Sequence, residues 1–263
     1  MPKGVSKRSE TEMIAYALEV EPRLLPWMPE LLSDFDELGS NADLIVAVLR
    51  DLGLPPSARV IDLGCGKGAI AVAIAKALGC RVEGIDLFEP FIASAVERAT
   101  AADVSDLCSF QQADIRKMAG NTEPADAAVY AALGDVLGPL DHTVGVIRRF
   151  VHPGGFILIS DDYVKEGGTS ESPVSENRFT HQDALQRLQS FGDRLLREVV
   201  ESSDPSQTYA GELAQIRRRA EQLVARHPEI EPALMRYLEN QRQEYEYMAA
   251  NVVPVTWILE RSA

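Results

Sequence analysis

Apolar and polar positions alternate in short blocks along the middle of the chain. Apolar runs rich in branched residues predict buried strands, and segments with one apolar face predict helices. The strands are expected at Arg59–Leu63, Arg81–Asp86, residues 109–113, Ala125–Ala131 and residues 156–160. The helices are expected at Ala69–Leu78, residues 90–102 and residues 143–151, the last one ended by a turn at residues 152–155. This order of elements predicts a parallel sheet covered by helices.

The first part of the chain departs from this alternation. Met13 and Ile14 share one face of a predicted helix with the apolar residues that follow one turn later. A second helix is expected over residues 41–52, with Ser40 or Asn41 as its cap. The first 53 residues therefore predict a helical extension.

The last part of the chain departs from it as well. Thr180 and Asp183 form a capping-box pattern that opens a helix, and a strand is expected at residues 195–200. Residues 205–249 predict two further helices divided by a His-Pro pair, and residues 252–259 predict a final strand. The pair of helices therefore forms an insertion before the last strand.

Composition and charge narrow the class of protein. The chain has 263 residues, of which 46% are hydrophobic, so a large core is available. A formal net charge of -14 argues against nucleic acid as a partner, because phosphate binding needs clustered Lys and Arg. The 3 cysteines show no metal-ligand spacing and fit a reducing compartment. Without an apolar run of membrane-spanning length or a signal-peptide pattern, a cytoplasmic protein with no membrane partner and no metal is expected.

A glycine-rich loop is the strongest local signal. In VIDLGCGKG, Gly64, Gly66 and Gly68 stand between a predicted strand and an alanine-rich helix. A plain turn needs one such glycine, whereas the spacing Gly64-x-Gly66-x-x-Ala69 also fits a dinucleotide fingerprint. A P-loop is excluded because no Gly-Lys-Ser or Gly-Lys-Thr follows. The loop therefore predicts a close approach of backbone to a ligand.

Three carboxylates distinguish between the ligands that remain. Asp86 ends the second strand, where it could accept both hydroxyls of a ribose in either nucleotide class. Asp62 lies two residues before the first loop glycine, where its charge would repel a pyrophosphate but attract an ammonium or sulfonium group. Asp114 follows the third strand and could accept an adenine amino group. The set favours an adenosine ligand that carries positive charge.

Five motifs occur in a familiar order: VIDLGCGKG, GIDL, ADIRKM, DAAVYAALG and VHPGGFILISD. Together they resemble class I S-adenosylmethionine-dependent methyltransferases over residues 58–163. The resemblance implies an α/β fold with a Rossmann-like, doubly wound sheet of seven strands whose last strand is antiparallel. Residues 54–204 and 250–263 would form this core. Residues 1–53 would be the N-terminal extension, and residues 205–249 would be a lid or a homodimer element.

The same resemblance implies roles for individual residues. The glycine loop would lie under the methionyl and ribose parts of the cofactor, and Cys65 within it would be a small filler. Asp62 would lie at the methionine end of the cofactor, and Asp86 would bind the ribose hydroxyls. Leu87 and Ile115 would pack on the two faces of the adenine, and Asp114 would bind the adenine amino group. The backbone of Tyr130 and Ala131 would bind the amino group of the methionine part. For Leu87 and Ile115, ordinary core packing is the alternative.

The methyl acceptor is indicated less directly. The segment after the fourth strand has no Asn/Asp-Pro-Pro-Tyr/Phe signature of nucleobase or glutamine methylation, which favours a small molecule. Asp135 and Tyr163 follow strands four and five, where the methyl group should point, and are weak catalytic candidates. A helix cap and core packing are their alternatives. An NAD-dependent oxidoreductase and a non-catalytic S-adenosylmethionine-binding regulator remain as alternative functions.

Overall fold

One seven-stranded sheet organises the molecule, with strand order β3-β2-β1-β4-β5-β7-β6. The structure, a computed structural model, describes residues 8–120, 122–172, 178–201 and 206–263, without the side chains of residues 206 and 207. The strands are β1 Arg59–Leu63, β2 Arg81–Asp86, β3 Cys108–Gln112, β4 Ala125–Ala131, β5 Val151–Val164, β6 Arg194–Val200 and β7 Val252–Glu260.

Helices connect and flank these strands. They are α1 Glu10–Ala17, α2 Met28–Leu31, α3 Ala42–Asp51, α4 Ala69–Leu78, α5 Glu89–Ala101, α6 Ile115–Met118, α7 Leu140–Ile147, α8 His181–Leu188, α9 Ser206–Arg226 and α10 Glu231–Asn251. Helix α4 is bounded by glycines at both ends. Gly68 and Gly79 adopt left-handed φ values of 76° and 73°, which stop the alanine-rich segment from extending further.

The sheet has the predicted topology. Strand β1 pairs in parallel with β2 and β4, and the pairs β2–β3 and β4–β5 are also parallel. Strand β7 runs antiparallel to β5. At one end of this pair Gly154 N donates to Arg261 O, and at the other end Lys165 N donates to Asn251 O. The predicted fold class, a doubly wound seven-stranded sheet with an antiparallel last strand, is confirmed, and that strand lies between β5 and β6.

The segment before the fifth strand differs from its prediction. The helix expected at residues 143–151 begins earlier, at Leu140, and its last residues form a 3-10 turn at Arg148–Phe150. The turn expected at residues 152–155 belongs to β5, because Gly154 bends the strand with a φ of 82° and a register shift against β4 accommodates the extra residues.

The chain divides into two compact units. One unit consists of Asp36–Asp161, Leu185–Val199 and Thr256–Ala263, and it contains the parallel strands and the glycine loop. Its core packs α3 and α4 against the sheet through side chains such as Ile45, Leu49, Val60 and Ile74, all at most 1% exposed. This packing holds the strand that carries the glycine loop.

The other unit consists of residues up to Phe35, Asp162–Ala184 and Val200–Val255. It contains the predicted helical pair as α9 and α10, while Pro205, the predicted first residue of the pair, lies outside the described residues. Arg218 and Arg219 of α9 both donate to the Asp34 carboxylate. The three-part division drawn from the sequence stays a prediction. Within the described part of the chain, no helix is both long and apolar enough to cross a membrane.

Candidate functional site

The glycine loop turns sharply at the end of β1. Gly64 N and Cys65 N both donate to Ile85 O, at 2.7 and 3.0 Å. The φ angles of Gly64, Gly66 and Gly68 are 71°, 51° and 76°, in the left-handed region that a residue with a Cβ rarely adopts. All three loop glycines are therefore required by backbone conformation, which a plain turn with one glycine does not explain.

Asp86 fixes the middle of this loop. Its Oδ2 accepts a hydrogen bond from Gly66 N at 2.9 Å, and its Oδ1 accepts one from Phe88 N at 2.8 Å. Burial raises the pKa of Asp86, and the hydrogen bonds from backbone amides oppose the rise. Because each carboxylate oxygen can accept two hydrogen bonds, Asp86 keeps acceptor capacity for a ligand hydroxyl.

Asp62 is the most unusual side chain of the site. It is 2% exposed, and its Oδ2 has no hydrogen-bond partner. Burial, reinforced by the nearby Asp86 carboxylate and opposed by the Ala71 amide, raises the pKa of Asp62 to about 7. A buried polar atom without a partner is costly, which makes it a place where a ligand group is expected.

Cys65 has the environment of a structural residue. The side chain is 8% exposed, and burial together with the carboxylates of Asp62 and Asp86 raises the pKa of the thiol well above its usual value. A thiol of this kind stays protonated and is a poor nucleophile. A Cβ at Gly84 of β2 would approach its Sγ to 2.9 Å, so Cys65 fills the space beside that glycine.

The predicted adenine-binding residues follow β2 and β3. Ala113 N donates to Asp86 O, which places Asp114 next to the end of β2. Ile115 is 7% exposed and Leu87 is half-buried. Asp114 is 6% exposed and accepts bidentate hydrogen bonds from the Arg116 guanidinium at 2.7–3.1 Å. Although burial raises the pKa of Asp114, the Arg116 bonds outweigh burial and lower it. The sequence did not indicate this pairing.

The segment after β4 is strained. The hydroxyl of Tyr130 donates to Gly134 O at 3.0 Å, which ties the end of the strand to the following turn. Ala132 has a φ of 56°, an unfavourable value for a residue with a side chain. Ala131 is 7% exposed. Strain of this kind accumulates at functional sites, in keeping with the predicted backbone role of residues 130 and 131.

Two side chains distant from the glycine loop in sequence contact it. A Cβ at Gly64 would clash with Leu133 Cδ1, so Leu133 packs directly on the loop. Arg98 of α5 donates to Lys67 O at 3.1 Å and to the Asp36 carboxylate at 2.5 Å. The latter bond joins the loop to the segment before α3. The paired carboxylate and arginine were visible in the sequence, but their separation of 62 residues gave no signal.

The two catalytic candidates lie in different units. Asp135 lies in the turn after β4 and is half-buried. Tyr163 lies near the end of β5, in the unit that contains α9 and α10, and its ring packs against His181 at 4.6 Å between centroids. Their catalytic roles stay predictions.

Comparison with known proteins identifies the domain around this loop. A family model described as "Methyltransferase domain" matches residues 60–155, from β1 to the start of β5. The chain carries a class I methyltransferase domain. The predicted resemblance is thereby confirmed. The matched residues of this methyltransferase domain include the glycine loop and all the predicted cofactor-binding residues from Asp62 to Ala131.

Named relatives are similar over part of their length. A sterol 24-C-methyltransferase of Gibberella zeae is 36% identical over 120 residues, which are 43% of this chain and 31% of that protein. A 27-O-demethylrifamycin SV methyltransferase of Amycolatopsis mediterranei is 32% identical over 105 residues, 39% of this chain and 38% of that protein. The chain thus matches about a third of the length of these curated relatives.

A solved structure extends the likeness beyond the methyltransferase domain. The S-adenosylmethionine-dependent methyltransferase from Geobacter sulfurreducens, in complex with S-adenosylhomocysteine, superposes with a TM-score of 0.73 at 21% identity. The match covers 91% of this chain and 98% of that chain. At this identity the likeness shows a shared fold.

Proposed function

We propose that this protein transfers the methyl group of S-adenosylmethionine to a small-molecule acceptor. One observation carries the proposal: the buried Asp62 Oδ2 lacks a partner at the end of β1, close enough to Asp86 for the two charges to interact. Asp86 in turn holds the glycine loop. A pyrophosphate would be repelled by an ionised carboxylate at this position, whereas a sulfonium or ammonium group would be attracted to it.

The residues of the site fit this cofactor. Asp86 has acceptor capacity for the ribose hydroxyls, and Asp62 supplies negative charge for the methionine end. Leu87 and Ile115 offer apolar surface for the adenine. Asp114 would accept the adenine amino group in exchange for one of its present hydrogen bonds from Arg116. The backbone of residues 130 and 131 would receive the cofactor amino group.

Methyl transfer from S-adenosylmethionine needs no covalent intermediate with the protein. When bound, S-adenosylmethionine supplies an electrophilic methyl carbon next to a positively charged sulfur. The protein aligns the acceptor with that carbon and excludes water. Asp135 would take a proton from an oxygen or nitrogen acceptor if the acceptor arrives protonated, and Tyr163 would orient it.

A small-molecule acceptor is supported by two of the curated relatives and by charge. Their names refer to a sterol and to 27-O-demethylrifamycin SV, both small molecules. A net charge of -14 disfavours a nucleic-acid acceptor. The methyl acceptor is therefore expected to be a neutral or cationic small molecule.

Calorimetric titration with S-adenosylmethionine, S-adenosylhomocysteine and NAD tests the cofactor. Binding of the first two and not of NAD is expected. Asp86→Ala should weaken binding tenfold to a hundredfold, because a charge-assisted hydrogen bond contributes ~1.5–3 kcal/mol. Asp126→Ala is the matched control, since that carboxylate accepts from Arg59 N at the opposite end of β1. Binding of NAD alone would favour the oxidoreductase alternative.

Turnover separates an enzyme from a non-catalytic binder. Assays with acceptors of several nucleophile classes should find one that is methylated. With it, Asp135→Asn should lower turnover by ~10²–10⁴-fold at unchanged cofactor affinity if Asp135 is the base. Unchanged turnover would reject the base and leave alignment as the protein's contribution. Cofactor binding without turnover on any acceptor would favour the regulator.

A further inference from the structure

Among the described residues, the groups that shift the pKa of Asp62 include no cation. Asp62 lies on β1 between Gly84 of β2 and Val129 of β4, its register partners. The groups that act on it are the Ala71 amide of α4, the Asp86 carboxylate of β2, the Cys65 thiol of the loop and the Cys108 thiol of β3. Of these, only the amide stabilises an ionised carboxylate.

An ionised Asp62 is therefore unfavourable in the free protein. A buried carboxylate without a cation or a full set of donors carries a large desolvation cost, and it avoids this cost by keeping its proton. The second carboxylate on β2 adds repulsion. The raised pKa of Asp62 agrees with this argument from geometry.

A ligand with positive charge reverses this balance. A cation close to a carboxylate in a site of low dielectric constant stabilises the ionised form by several kcal/mol, more than it does in water. S-adenosylmethionine carries one more positive charge than S-adenosylhomocysteine, at the sulfonium, while both carry the same amino and carboxyl groups. The two ligands therefore differ in the charge that Asp62 senses.

We propose that Asp62 is protonated in the free protein, releases its proton to solvent when S-adenosylmethionine binds, and by this exchange selects the charged cofactor over its neutral-sulfur product. This inference rests on the proposed function. After methyl transfer the sulfur is neutral, so Asp62 takes a proton back from solvent and the ionised carboxylate no longer holds the product. Asp62 is then the residue that discriminates cofactor from product.

Proton release is measured by calorimetry in buffers of different ionisation enthalpy. At about pH 7 the wild type should release about half a proton with S-adenosylmethionine, rising towards one at about pH 6, and less with S-adenosylhomocysteine. The affinity for the cofactor relative to the product should rise by up to about tenfold between about pH 6 and about pH 8, with the full rise reached if the product releases no proton. Because both ligands carry the same amino group, its titration changes both affinities equally and does not affect their ratio.

Two variants isolate the role of Asp62. Asp62→Asn keeps the shape of the side chain and removes its titration, so the difference in proton release between the two ligands should vanish and their affinity ratio should become independent of pH. Asp126→Asn, at the opposite end of the sheet, should behave as wild type.

Distinct results overturn the two proposals. Equal proton release with both ligands in the wild type, or an unchanged pH dependence in Asp62→Asn, would overturn the proton exchange while leaving the proposed function intact. Failure of both ligands to bind to the wild type at any pH would instead overturn the proposed function, and the exchange with it.

Discussion

Gly64 is subject to two separate constraints at the scale of a single residue. Its φ of 71° disfavours any side chain, and Leu133 occupies the space where a Cβ would lie. The first constraint follows from the glycine spacing and was predictable. The second depends on how the turn after β4 folds back onto the loop, so no local pattern could have indicated it.

Substitution at Gly64 should separate these constraints. Gly53, with a φ of 73° and no atom within 4 Å of its Cβ position, reports the cost of conformation alone. Gly53→Ala is expected to lower the free energy of unfolding by about 1–2 kcal/mol, and Gly64→Ala by more. Adding Leu133→Ala should recover the excess in Gly64→Ala. Urea unfolding measures all three, and equal costs for the two glycines would show that Leu133 does not constrain the loop.

The buried carboxylate makes stability depend on pH. The pKa of Asp62 rises from 3.8 to about 7 on folding, so the folded protein holds a proton between these values that the unfolded chain has lost. The bound proton stabilises the folded protein, and this stabilisation is lost as the pH rises from about 4 to above the folded-state pKa of about 7. Asp62→Asn should therefore gain up to about 4 kcal/mol of stability over wild type between about pH 4 and about pH 8.

Denaturant unfolding at a series of pH values, without ligand, measures this gain. The exposed carboxylate variant Asp126→Asn should run parallel to wild type across the series. A constant difference between Asp62→Asn and wild type would mean that Asp62 is ionised in the folded protein over the whole range.

Among the elements, three of the parallel strands were predicted best. β1, β2 and β4 begin and end at the predicted residues, because each is an apolar run that fits the length of a buried strand. β5 was predicted too short, since its glycine pair was interpreted as a turn. Glycine permits both a turn and a bulge, and only pairing with β4 and β7 selects between them.

An ion cluster links several elements of the unit that contains α9 and α10. Arg178 donates to both carboxylate oxygens of Asp162 at the end of β5, at 2.5 and 2.6 Å, and to Glu244 of α10 at 2.6 Å. The three side chains are 12%, 10% and 5% exposed. No local sequence pattern indicated this cluster, because Asp162 and Glu244 lie 16 and 66 residues from Arg178.

Removing the cation should be costly. Arg178→Met removes the cation that two buried carboxylates share, and the free energy of unfolding is expected to fall by about 3–5 kcal/mol at neutral pH. Arg242→Met is the control, since Arg242 forms comparable bonds to Glu239 and Glu246 at the surface and should change stability by less than about 1 kcal/mol. Similar losses in the two variants would contradict a special role for the buried cluster.

At the scale of the whole molecule, the resemblance to a known family predicted the seven-stranded sheet and its antiparallel last strand, but no sequence pattern indicated which distant segments pack together. The predicted division followed the chain, with an extension, a core and an insertion. The observed units each combine segments distant in sequence, such as residues near Asp34 with α9. Such a combination depends on long-range packing that hydrophobic periodicity does not encode.

Replacing residues 206–249 with a short Gly-Ser linker tests what the helical pair contributes. The unit with the glycine loop is expected to keep its cofactor affinity, while turnover should be lost because the pair would shape the acceptor site. Calorimetry and an activity assay measure the two properties. Full activity of the deletion variant would exclude a role of the helical pair as a lid. A change from dimer to monomer in gel filtration would instead show that the pair forms a homodimer interface.

Ala132 limits which sequences this fold accepts after its fourth strand. Its left-handed backbone admits glycine, asparagine or aspartate readily, alanine at some cost, and β-branched residues hardly at all. Crowding adds to this limit, because a Cβ at Gly39 would lie 3.3 Å from the Ala132 methyl group. The side chain of Ala132 is exposed to solvent. A library of all substitutions at position 132, selected for folding, should nevertheless retain only a few small or turn-forming residue types.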